Sequence, residues 1–469
     1  MQRIIKYKNG NATRWFRTPL AQTVTLGLVF FFVFSSYTTI QFYARTTYGP
    51  ELAANSVAVV YATFTITCLI APSITNKFGS HVVLFWGVLG YAALVAASLV
   101  YFVYNVESVV VWGGGVLGIG AALLWTGQGR LILQYAAVVP DQSGRLMGIF
   151  WAVFQGSAIV GGFISFFFYS ESPNGGSVGL YIIFLVLIVL GALSTQLLLP
   201  PGMLLVTSIT LDKNNNNIHL LPAGETTYLL PSTSSGLSLA SVDAQPVDVV
   251  SGLSESSSWF EQGRKTLRLF WTRRMLILCT LFFYTGFNQP YQQATFSNRF
   301  FSKRTIGLEM IVFHVWEIVG AIYVGHALDR DPMKRTQLAV QCLFLFIVVN
   351  TCGNLLAWYQ EEKETSLIKG LVPVDITDPR SLLPPLAMAC WGFADSQIQV
   401  YVYWLLGTLY ETGDDHAHAV GLYKCIQSLG VSIGFCLTPL TRLSALGQLT
   451  LSSVVYVVGT LLAFLQLPR

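Results

Sequence analysis

Two carboxylates stand where a water-soluble protein would rarely put them. Asp395 lies near the middle of an apolar stretch at about 382–410, and Glu317 near the middle of another at about 305–328. An ionisable side chain in hydrocarbon costs about 2.5–3.5 kcal/mol on insertion scales, so it faces a protein interior or a wet crevice rather than lipid. A carboxyl in such a place can load and release a proton, or hold a cation. His314 precedes Glu317 by three residues and shares its helical face. Other polar residues interrupt apolar stretches elsewhere. Asn288 stands just before Pro290, whose ring breaks the helical hydrogen-bond ladder. Gln128 and Arg130 fall in 108–134, Gln155 in 145–169 and Gln427 in 416–440. One reading gathers these residues around a polar central cavity, with Asp395 and Glu317 as coupling sites for a small-molecule or ion substrate. The other makes them glue, hydrogen-bonding one helix to the next. Arg130 has a third option, because a long stem lets a charged head snorkel to the membrane face; for Lys424, in 416–440, that is the expected behaviour.

Other chemistry is hard to find. The seven cysteines form no CxxC pair and no Cys/His cluster. There is no nucleophile–base pair and no cofactor loop, so the expectation is no enzyme, no cofactor and no metal. The glycines between Gly113 and Gly129 follow no strand, which excludes a phosphate cradle; small residues at such density let helices approach closely. A net charge of +4 argues against a nucleic-acid partner.

The elements that carry these residues follow from composition. The chain is 53% hydrophobic and 11% charged, against about 25% charged in soluble domains. A helix needs roughly 20 apolar residues to cross a bilayer, and such stretches fall near 20–43, 54–74, 81–104, 108–134, 145–169, 178–199, 274–298, 305–328, 337–359, 382–410, 416–440 and 447–467. The predicted fold is therefore all-α and polytopic, with about twelve membrane helices in the lipid bilayer. The first stretch is too long for a signal-peptide core and reads as the first membrane helix. With both termini in the cytoplasm, nineteen of the 27 Lys and Arg residues fall on the cytoplasmic side, as the positive-inside rule asks. Arg299, Lys303 and Arg304 run against it. The polar stretch 201–272 has too little apolar surface to fold by itself and reads as a disordered cytoplasmic linker between halves 1–200 and 273–469. Within it, Glu225, Leu229 and Leu230 match the spacing of an acidic dileucine sorting signal.

The halves repeat. Pro72, Asn76 and Lys77 after the second stretch correspond, 253 residues later, to Gly325, Asp329 and Arg330 after the eighth; Gln155 and Gly162 correspond, at an offset of 272, to Gln427 and Gly434. The longer loop near 360–381 accounts for the change of offset. This pattern resembles the major facilitator superfamily, with six plus six helices, a long central loop and a G-x-x-x-D-R-type loop after spans two and eight. That likeness implies gating roles for Asp329 and Arg330, and for Asn76 and Lys77 in a degraded first copy. The segments Leu124-Trp125-Thr126-Gly127-Gln128-Gly129, Phe150-Trp151 with Gln155, and Gly392-Phe393-Ala394-Asp395-Ser396-Gln397 narrow the resemblance to the uncoordinated-93-like branch of that superfamily. It implies either a secondary transporter alternating access around a midplane cavity, or a non-transporting accessory that regulates a potassium channel or escorts a receptor. It assigns no particular membrane, plasma or endolysosomal.

Overall fold

The computed structural model describes residues 15–171, 178–204, 259–331, 334–365, 382–410 and 413–467. Glu225, Leu229 and Leu230 lie outside the described residues. In hydrocarbon the backbone must satisfy its own hydrogen bonds, which leaves the helix as the spanning element for apolar stretches of this length.

The first half contains α1 (Pro19–Tyr48), α2 (Pro50–Cys68), the short α3 (Ala71–Phe78), α4 (Ser80–Tyr104), α5 (Glu107–Val138), α6 (Ser143–Glu171) and α7 (Val178–Thr195). After α8 (Trp259–Phe270) the second half contains α9 (Arg273–Phe287), a π-helical stretch at Pro290–Phe296, α10 (Ser297–Phe300), α11 (Lys303–Leu328), α12 (Arg335–Thr365), α13 (Leu383–Leu409), α14 (Gly413–Leu437) and α15 (Ala445–Ala463). Local chemistry sets the boundaries. The hydroxyls of Thr18, Thr272, Ser302 and Ser444 each accept a backbone N–H in the first turn that follows. Gly49 and Gly79, both at φ 81°, turn the chain between α1 and α2 and between α3 and α4, a conformation side chains resist.

Among the described residues ten helices are long and apolar enough to span a membrane. The remaining two spans are the polar ones. Pro290 removes a ladder hydrogen bond, so the seventh span is broken into α9, the π stretch and α10. In α13 the run Asp395, Ser396, Gln397 and Gln399 lowers the hydropathy. Twelve residues of the segment read as a disordered linker are ordered as α8; amphipathic, α8 rests on α3 and α14 rather than on a core of its own.

Each half packs in the same pattern. In the first, α1 meets α6 and α7, α5 meets α2 and α4, and α4 meets α7; in the second, α9 meets α14 and α15, α13 meets α11 and α12, and α12 meets α15. The halves join along α6 against α11, and along α2 and α5 against α14. The α6–α11 seam is backbone against backbone: a Cβ placed on Gly325 would lie 2.7 Å from the Gly144 carbonyl oxygen, and one on Gly148 would collide with the Ala321 carbonyl. Here the end at which α1 begins is called the near end, and its opposite the far end.

Small residues at this seam make a sharp prediction. Gly148→Ala is expected to destabilise the protein by about 1–3 kcal/mol through overpacking, whereas Gly156→Ala, where the nearest side-chain atom is 3.6 Å from the new methyl, leaves it unchanged. Thermal melting of the two variants in detergent checks this.

Candidate functional site

The midplane of the seam holds a cavity of about 160 Å³ lined by both halves. The second half brings Glu317 and His314 on α11, Asp395 and Gln399 on α13, Lys424 and Gln427 on α14, and Gln289 and Gln293 around the break after α9. The first half brings Tyr37 and Gln41 on α1, Tyr61 on α2, Trp125 on α5, and Trp151 and Gln155 on α6. The π-helical stretch matters here, because it carries Gln293 and, at its N-cap, Gln289 to the cavity wall.

Two carboxyls and one ammonium form the centre. Asp395, Glu317 and Lys424 are each 2–3% exposed. Asp395 Oδ2 accepts a hydrogen bond from Gln399 Nε2 at 2.8 Å. Gln399 Oε1 in turn accepts from Gln427 Nε2 at 3.2 Å, and Gln427 Oε1 accepts from Lys424 Nζ at 2.7 Å. A chain of amides thus links the ammonium on α14 to the carboxyl on α13. Glu317 and Asp395 lie in side-chain hydrogen-bond contact with each other, although Glu317 Oε2 and Asp395 Oδ1 receive no N–H or O–H from the described residues. Two carboxyls facing one cavity repel when both are charged, so the pair is most stable with one proton between them. His314 adds a third member. Its Nδ1 lies 2.7 Å from the Met310 carbonyl oxygen, which can only accept, so the ring's other nitrogen faces Glu317 Oε2 at 3.5 Å. That separation is an electrostatic approach, not a hydrogen bond.

Lys424 corrects the sequence reading. It does not snorkel. Helix α14 begins at Gly413 rather than 416, which makes Lys424 its twelfth residue, roughly 16 Å along the axis from the near end. Its ammonium sits over the Trp125 ring at 4.1 Å and the Tyr423 ring at 4.8 Å, a cation–π box in place of water. Of the residues singled out from sequence, Asp395, Glu317, His314, Gln155 and Gln427 line the cavity. Gln128 lies off it, accepting from the Tyr403 hydroxyl at 2.9 Å, and the buried Asn288 closes α9 just short of the break. Sequence reasoning missed Lys424, Gln399 and the aromatic box. Gln399 had a signal, standing one helical turn from Asp395.

Arg130 also leaves the cavity. At the near end its guanidinium pairs with Asp414 at 3.2 Å and donates to the carbonyls of Gly413 (3.2 Å) and Thr75 (2.9 Å), tying α5, α3 and α14 together. The repeated loops add two more ties. Asp329 accepts from the backbone N–H groups of Gly144 (2.8 Å) and Arg145 (2.6 Å), so a residue ending α11 caps the N-terminus of α6 in the other half. Burial lifts this carboxyl above the usual range while the two N–H donors draw it back. Asn76, its counterpart, donates to the Asp414 carbonyl at 3.4 Å, at the start of α14. Lys77 and Arg330 are exposed. Helix α8 lies over the same place, where His418 is 2.8 Å from Thr266 Oγ1 and 3.1 Å from Gln262 Oε1. At the far end Arg299, which broke the charge rule, pairs with the buried Glu361 at 3.0 Å, and Tyr291 donates to the same carboxylate at 3.2 Å.

The architecture is that of the major facilitator transporters. The fucose:proton symporter FucP of E. coli superposes with a TM-score of 0.61 at 11% identity, covering 96% of this chain and 99% of that one. The proton:xylose symporter XylE gives a TM-score of 0.59 at 12% identity, over 96% and 95% of the two chains. Within that fold the chain belongs to the UNC-93 family, whose profile, described as ion channel regulatory protein UNC-93, matches residues 53–464. Its relatives include UNC93-like protein 1 of Arabidopsis thaliana, 24% identical over 90% of this chain and 84% of that protein. UNC93-like protein MFSD11 of Xenopus tropicalis is 24% identical over 89% of each.

Removing the cap at α6 is expected to loosen the near end. Asp329→Ala should cost that closure about 1–2 kcal/mol, and so speed thiol labelling of Cys68, which is fully buried on α2, in a variant that keeps only this cysteine. An unchanged labelling rate counts against the cap as a gate.

Proposed function

We propose that this protein is a secondary transporter that alternates access to the midplane cavity by rocking one six-helix half (1–200) against the other (273–469). The observation that carries the reading is the buried trio Asp395, Glu317 and Lys424, which the second half presents to Trp125, Trp151 and Gln155 of the first across the seam. Charges so costly to bury stand where two bodies that move apart would expose them. The carboxyl pair is the coupling site: it holds one proton at rest and takes or gives a second as the cavity opens to either side. The ties of Asp329, Asn76 and Arg130 support a state closed at the near end, and the charge bias supports placing that end in the cytoplasm.

A second reading, a non-transporting accessory of an ion channel, is favoured by the description of the matched family. Affinity capture from mild detergent separates the two: a channel recovered at fixed stoichiometry by a protein that moves no solute supports the accessory role.

The transport reading predicts that Asp395→Asn abolishes pH-gradient-driven uptake, in proteoliposomes, of a solute found by thermal-shift screening. Undiminished uptake by that variant removes Asp395 from the coupling step.

A further inference from the structure

When protonated, Lys424 carries a charge that no carboxylate meets at ion-pair distance among the described residues. Ring faces and one amide hold it instead. An ammonium has three N–H donors, and among the described residues one of them is engaged, by Gln427 Oε1. A buried cation with donors to spare, on the wall of a cavity, is a receptor for an anion.

The charges of the cavity decide what else enters. Lys424 contributes one positive charge and the Asp395–Glu317 pair, sharing one proton, contributes one negative charge. The resting site is therefore neutral. An incoming anion leaves it negative unless the pair takes a second proton. An incoming cation leaves it positive, and finds the Trp125 face already occupied by Lys424 at 4.1 Å. The rest of the wall near Lys424 is aromatic, with Trp151 and Phe154 beside Trp125, which suits an apolar or planar body rather than a second charged group.

We infer that the cavity binds a small organic monoanion, its carboxylate received by Lys424 and its apolar body by Trp125, Trp151 and Phe154, together with one proton taken from solution by the Asp395–Glu317 pair. The coupling of the two to movement rests on the transport reading, whereas their binding does not. The other ionisable groups facing this cluster are His314 on α11, Cys68 on α2, Tyr37, Tyr61 and Tyr91 from the first half, and Tyr284, Tyr403 and Tyr423 from the second. The phenols and the thiol are uncharged when protonated and cannot balance an anion. His314 and any unprotonated Lys424 are the competing proton acceptors.

The test uses the purified full chain in detergent, weakly buffered near neutral pH with an indicator dye. Acetate, lactate and benzoate are added at millimolar concentration, with benzylamine as the cationic counterpart of benzoate. The expected result is a rise of several degrees in melting temperature, largest with benzoate, with a proton taken up for each anion bound. Benzylamine gives no rise. Lys424→Met melts cooperatively without responding to benzoate. The double variant D395N/E317Q leaves the buried Lys424 without a counter-charge, so it is expected to melt lower than the native protein, and a cooperative melt establishes that it folds. It keeps the benzoate response but takes up no proton, because Lys424 is left without a counter-charge. The inference is overturned if none of the three carboxylates raises the melting temperature, if benzylamine raises it as much as benzoate, or if proton uptake persists in the double variant, which assigns the proton to His314 or to Lys424. Intact binding and uptake with no flux in proteoliposomes would sink the transport reading and leave the anion site standing.

Discussion

A charge in hydrocarbon must find its balance inside the protein, and in this chain one ammonium and two carboxyls impose that demand at the middle of the bundle. Much of the surrounding structure answers it. The amides of Gln399 and Gln427 run between Asp395 and Lys424. The break after α9 brings Gln289 and Gln293 to the same wall. Trp125 and Tyr423 present ring faces to a cation that no carboxylate of the described residues meets at ion-pair distance. Backbone contact at Gly144, Gly148 and Gly325 holds the two halves close along the α6–α11 seam that flanks the cluster.

The duplication expresses itself as geometry as well as sequence. Asn76 and Asp329 occupy the same place in their repeats, and each reaches across to the first turn of a helix in the opposite half, α14 and α6 respectively. The chemistry of the two differs. Asp329 brings a carboxylate to two backbone N–H groups, whereas Asn76 brings an amide donor to a carbonyl oxygen. The second copy therefore makes the stronger, charge-assisted cap. The first is reinforced by Arg130 and Asp414, so a loop that looks degraded in sequence is compensated by an ion pair from a neighbouring helix.

What could be read from sequence follows from how local each cause is. The helices are legible because twenty apolar residues in a row admit one solution in lipid, and the break at Pro290 because proline acts on its own turn. Asp395 and Glu317 stand out because a carboxylate in an apolar run is conspicuous by itself. Lys424 was misread because its fate turns on where α14 begins, and three residues at that boundary decide whether its stem can reach the membrane face. Arg130 and Gln128 lie on the α5 stretch that sequence assigned to the cavity, yet their partners Asp414 and Tyr403 lie far along the chain, and no local pattern announces them. The Arg299 exception has the same origin: its partner Glu361 is supplied by another helix. Helix α8 escaped notice because it is ordered by the surface it rests on.

That last helix has a mechanical consequence. Gln262 and Thr266 grip His418, which belongs to the same turn region of α14 that Asn76 and Arg130 hold from the other half. Parting the near end thus means peeling a twelve-residue strap off α14 as well as separating two lobes. Resting on α3 of the first half and α14 of the second, this helix clasps both halves at the near end.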